Sequence, residues 1–156
     1  MSEWQDTLRV SEYEGVLAEV PLLFLHHEGL VRILFNVDTT TVEEARQVEG
    51  FVNQILSRLP SLQETVATAS FKYYLFLVEA FRKSYGDEVQ LPVATDAESL
   101  KQFYKLTTIY LPNEFEAGYF GLGFECEFEI EHGLGIRFRN WQIEEVGDEE
   151  EGFSLD

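Results

Sequence analysis

Cys126 is the only cysteine in 156 residues, so no intrachain disulfide can form. That excludes the cross-linked scaffold of small secreted domains and leaves a cytoplasmic protein as the expectation. Histidine is nearly as scarce. His26, His27 and His132 are the only three, and no His-Glu-x-x-His or Cys-x-x-Cys spacing accompanies them, so no zinc or other metal site is expected. No Gly-x-Ser-x-Gly elbow is present. Gly121-Leu122-Gly123 lacks the third glycine and the lysine of phosphate loops and is expected to mark a bulge or twist in a strand. Neither catalytic residues nor a cofactor are expected. Long apolar runs are missing as well: the longest, Val20 to Leu25 and Tyr73 to Val78, are far too short to span a bilayer. No charged and apolar signal segment opens the chain.

The scarcest commodity is positive charge. Eleven Lys and Arg face twenty-nine Asp and Glu, a formal net charge of −18, and no basic residue follows Arg139. A field of this sign repels nucleic acid and anionic membrane surfaces and speeds encounter with basic partners. The same charge also serves solubility alone.

What the chain does have is core material. Hydrophobic residues make up 45% and aromatics 14%, enough to fill one α+β domain, expected over 1–147, with 148–156 as an acidic, frayed tail. Gly15 to Leu25 and Leu30 to Val37 read as strands around a polar turn at His26-His27-Glu28-Gly29. Thr41 to Glu44 matches a capping box, and Val42, Ala45, Val48, Val52, Ile55, Leu56 and Leu59 recur at helical spacing. Pro60 is expected to stop that helix. Ser61 to Glu64 then caps a second helix running to Gly86, so the two pack as a helical hairpin. A loop with Pro92 follows, then a short helix capped by Thr95 and Glu98, then a strand from Leu106 to Leu111. Gly118 to Glu131, Ile136 to Arg139 and Gln142 to Val146 read as a meander. The expected architecture is one antiparallel sheet, made from an N-terminal hairpin and a C-terminal meander, covered by a helical layer on one face.

Phe124 to Glu131 alternates without a break, placing Phe124, Cys126, Phe128 and Ile130 on a buried face. Glu125, Glu127, Glu129 and Glu131 fall on a wet face, since a carboxylate row is not buried unpaired. A turn centred on Gly133 sets Ile130 opposite Ile136 and Phe128 opposite Phe138, which predicts ion pairs Glu129–Arg137 and Glu127–Arg139. Cys126, on the apolar face, reads as a buried hydrophobe rather than a thiolate. Phe71, Tyr73, Tyr74 and Phe76, with Tyr104 and Tyr110, fit a core better than a pocket.

The stretch Phe128 to Phe138, with its Glu131-His132-Gly133-Leu134-Gly135 turn and the later Glu145-Val146-Gly147, resembles the C-terminal signature of small uncharacterised bacterial domains. Many of those carry Trp-Asp where Glu129-Ile130 stands here, and some lie beside toxin genes as presumed immunity proteins. The resemblance implies binding and brings no catalytic residues with it. The expected function is therefore an acidic protein-binding module, in one form an immunity protein that neutralises a basic toxin. Glu125, Glu131, His132, Glu144 and Glu145 are its contact candidates. Two alternatives stay open: a small-molecule-binding protein or enzyme with an aromatic-lined pocket, and a homo-oligomeric structural protein that uses an exposed apolar patch or a sheet edge.

Overall fold

The computed structural model describes residues 3–86, 91–130, 132–153 and 155. Seven strands form one sheet in sequential order: β1 (Arg9–Ser11), β2 (Gly15–Phe24), β3 (His27–Leu34), β4 (Tyr104–Tyr110), β5 (Phe120–Cys126), β6 (Leu134–Arg139) and β7 (Gln142–Gly147). Between β3 and β4 the chain makes α1 (Val42–Gln47), α2 (Glu49–Tyr85) and α3 (Ala97–Leu100), and after β7 comes α4 (Glu149–Phe153). The class is the expected α+β. Every neighbouring pair is antiparallel except β3 and β4, which run parallel because three helices carry the chain back to the same end.

The N-terminal hairpin turns at two residues, Leu25 and His26, both in the left-handed region, rather than over His26 to Gly29. Neither is a customary turn residue. The turn is held from outside instead: Leu25 is buried and its amide donates to Gln63 Oε1 at 2.8 Å. Of the four alternating residues beyond it, Val31, Ile33 and Phe35 are buried and Val37 is exposed.

The capping box at Thr41 and Glu44 forms as its spacing requires. Pro60 does not stop a helix. α2 runs through it for 37 residues, and Ser61 caps nothing; its hydroxyl donates to the Arg58 carbonyl within the helix. An internal proline costs roughly 3 kcal/mol. The apolar stripe Val52, Ile55, Leu59, Leu62, Val66, Ser70, Tyr74, Leu77 keeps its three- and four-residue spacing across Pro60, and all of it is buried. Breaking the helix would expose half of that stripe, so packing decides. The third cap is Asp96 with Ser99, one residue beyond the Thr95 expected.

α2 covers the front face of the sheet, where Val16, Ala18, Val31, Ile33, Ile109, Phe120, Leu122, Phe124, Ile136 and Phe138 form the core. The C-terminal hairpin departs most from expectation. β5 ends at Cys126, and β6 pairs with its first part: Phe120 opposite Phe138, Leu122 opposite Ile136, Phe124 opposite Leu134. This register closes three wholly buried apolar pairs, including Phe120 stacked on Phe138 at 4.7 Å, where the expected one offered two. Beyond Cys126 the chain leaves the ladder in turns: the Glu127 amide donates to the Phe103 carbonyl and the Gly133 amide to the Glu129 carbonyl. Phe128 remains buried, but Ile130 is 83% exposed.

The back face explains the glycines. A Cβ at Gly121 would lie 1.5 Å from the Gly152 carbonyl oxygen, and one at Gly135 would lie 2.3 Å from the Asp148 carbonyl oxygen. The segment from Asp148 that was expected to fray is instead docked on this smooth strip as α4, with Gly152 buried. Its first amide, that of Glu149, donates to the His132 carbonyl, and Glu149 Oε1 accepts from Tyr110 Oη at 2.8 Å.

Candidate interaction site

β3 and β4 pair only through Arg32–Leu34 opposite Thr108–Tyr110, so their first halves splay apart. The opening continues into a cleft of about 450 Å³ at that end of the sheet, where β4 begins and β5 ends. Phe103, Tyr104, Cys126 and Ile130 give it an apolar floor and lip, Lys105, Glu125 and Glu127 give it charge, and His27 also lines it. Lys105 and Glu125 are ladder partners on adjacent strands, so cation and carboxylate stand side by side at the mouth. Within the cleft wall, burial pushes the Cys126 thiol up to about 12, which leaves it a protonated, poorly nucleophilic group at neutral pH. Tyr104 is also pushed up to about 12 by burial; its Oη and Ser70 Oγ, both buried, face one another without closing a hydrogen bond.

The five contact candidates separate. Glu125 is exposed on the cleft wall. Glu131 lies outside the described residues. His132 sits beside Glu129 Oε1 at 3.1 Å, and its backbone carbonyl holds the start of α4. Glu144 is occupied: Arg137 Nε donates to it at 3.1 Å and Arg139 Nε at 2.5 Å, and the Arg139 guanidinium holds its carboxyl below the usual range. Glu145 is exposed on β7, opposite Arg137 in the ladder. The expected pairs Glu129–Arg137 and Glu127–Arg139 do not form. The shifted register carries both arginines away from those glutamates; Arg139 also reaches Glu116 at 3.4 Å and lies over the Tyr119 ring. Tyr104 reaches the cleft, Tyr74 is core, and Tyr110 lies on the back face beneath α4.

His26 and His27, adjacent in sequence, point to different partners. His26 Nε2 meets Glu98 Oε1 at 2.9 Å, and His27 Nε2 meets the Lys101 carbonyl at 2.8 Å. Lys101 is buried, with Nζ 2.7 Å from Glu98 and 3.8 Å from Glu64. Its hydrogen bond to Glu98 raises the ammonium above its ordinary value and lowers the carboxyl. This network clamps the β2–β3 turn to α2 and α3. No group of three or more His, Cys, Asp or Glu that could hold a metal occurs among the described residues. No described helix is long and apolar enough to cross a membrane.

Sequence reasoning missed Lys105, Phe103 and His27 as cleft residues, because nothing local announces that β3 and β4 separate. A search of curated proteins and of solved structures finds no match to the chain. A family model described as a domain of unknown function (DUF6985) matches residues 5–153, and the chain belongs to that family.

Proposed function

We propose that this member of the DUF6985 family is a protein-binding module for a basic partner. The observation that carries the reading is how the charge is spent. Arg9, Arg32, Arg82, Lys83, Lys101, Arg137 and Arg139 are all ion-paired to carboxylates of the same chain. Arg46, Arg58, Lys72 and Lys105 are exposed outside these pairs, but they are outnumbered by exposed carboxylates, Glu125, Glu127 and Glu145 among them, on a chain of net charge −18. Such a surface steers basic proteins into encounter, and neutralising a basic toxin is one form that binding takes. The test is capture from source-cell lysate at low salt with elution by rising salt. One stoichiometric basic protein, lost when Glu125, Glu127 and Glu145 are all changed to Gln, supports the reading. Only scattered abundant basic proteins, retained equally by the variant, would assign the charge to solubility.

The cleft favours a second reading, a small ligand with an apolar body and a charged end held between Phe103, Ile130 and the Glu125–Lys105 pair. A ligand that raises Tm in the native chain but not in Glu125→Gln supports it.

A further inference from the structure

The sheet has two edges, and they are treated differently. On the β1 side, β1 covers only Gly15 to Leu17 of β2. The exposed remainder is plugged: Thr7 Oγ1 accepts from the Glu19 amide at 2.7 Å, as a neighbouring strand would, and its own proton lies between the Trp4 carbonyl at 2.7 Å and the Glu19 carbonyl at 3.1 Å. Pro21, two residues on, has no amide to offer. These are the usual means of closing an edge.

On the other side β7 ends the sheet. Its sequence Gln142-Ile143-Glu144-Glu145-Val146-Gly147 contains no proline, and alternate amides and carbonyls of such a strand face outward. Beside it lies a groove of about 490 Å³ between Ile143 and the overhanging side of α2, lined by Glu64, Thr65, Thr68, Ala69 and Lys72. Three of the five helical residues are small, and Ile143 is only half-buried at the groove floor. An eighth strand has backbone partners there and room for its side chains.

We infer that β7 is the docking edge for an extended segment of a basic partner, added as an eighth strand in which apolar residues alternate with Lys or Arg. The inference rests on the protein-binding reading above and specifies its mode. Alternation follows from the two faces of β7. Ile143 pairs with core residue Phe138 and faces the groove, so every second residue of the added strand must be apolar. Glu145 pairs with Arg137 on the other face and is exposed, so the intervening residues meet negative charge. A second copy of this chain fits poorly: β7 against β7 brings Glu144 and Glu145 against like charges, and each copy carries −18.

The experiment uses the full chain and two synthetic octapeptides of identical composition. In one, Val and Lys alternate; in the other, four Val precede four Lys. Calorimetry at low salt is expected to give at least a tenfold tighter complex for the alternating peptide, with backbone amide shifts concentrated at Ile143 to Val146. Ala69→Arg, a helix-compatible change that fills the groove, is expected to abolish the preference and leave the weaker binding of the block peptide intact. Equal, salt-sensitive binding of both peptides, or shifts centred elsewhere, overturns the edge and leaves the acidic binding reading standing. Failure of both peptides to bind overturns the two together.

Discussion

β5 has two faces that could hardly differ more. Phe120, Leu122 and Phe124 fill the front; Gly121 and Gly123 leave the back bare. From Phe120 to Phe124 both faces are buried, yet by opposite means. The front buries large apolar area against α2, where each aromatic contributes by exclusion from water. The back buries backbone against backbone, where contact depends on side chains being absent. Burial alone therefore does not reveal why a residue is there: the front tolerates no loss of volume and the back no gain.

Phe124→Ala should be the most damaging change. It empties a site packed by Phe24 and Tyr104 and should cost about 3–5 kcal/mol in chemical denaturation. A loss under 1 kcal/mol would mean the front is loosely packed and the contrast of faces is misdrawn. Gly121→Val breaks the other face. Its Cβ meets the Gly152 backbone, so α4 must lift, at about 1–3 kcal/mol. The distinguishing readout is local: residues 148–153 should become protease-sensitive in Gly121→Val before the sheet unfolds. Tyr110→Phe removes the hydroxyl that donates to Glu149 and should loosen α4 by about 1 kcal/mol, seen as faster amide exchange in that helix.

Tyr104→Phe sharpens the comparison at its smallest. This front-face hydroxyl is buried without a partner, so its removal should leave stability at pH 7 unchanged or slightly raised. The effect should appear in alkali. A folded-state value raised from 10.0 to about 12 means the native chain keeps a proton that the unfolded chain releases. The associated stability is complete below pH 10 and is lost as pH rises toward 12. Tyr104→Phe should remove that part of the alkaline loss. An unchanged alkaline limb would show that Cys126 and Tyr110, also raised chiefly by burial, account for it.

What the sequence discloses is graded by distance along the chain. The capping box at Thr41 and the strand from Leu106 onward are legible because a few adjacent residues determine them. Pro60 misleads because its local penalty is outweighed by a stripe that crosses it. The β5–β6 register misleads because two alternating patterns overlap: Phe124 to Ile130 alternates with carboxylates, and Phe120 to Phe124 alternates with glycines. The second alternation is the telling one, since only a close neighbour explains paired glycines, and that neighbour lies some thirty residues later at Gly152. The acidic run from Asp148 hid it. Among the candidate residues, Glu125 and Glu145 are exposed, whereas Glu144 is taken by two arginines whose approach follows from the register. The cleft was invisible because its walls come from β3, β4 and β5, joined only by the tertiary fold.

The glycine strip also works as a gauge of assembly. Slipping β6 by one residue along β5 would turn Leu134, Ile136 and Phe138 toward the back and Gly135 and Arg137 toward α2. α4 follows the sheet in the chain and fits only a strip without side chains, so it can settle only on strands that have already paired correctly. A mispaired sheet leaves that acidic segment loose and open to proteolysis. Docking of the last helix thereby depends on the pairing of the hairpin beneath it.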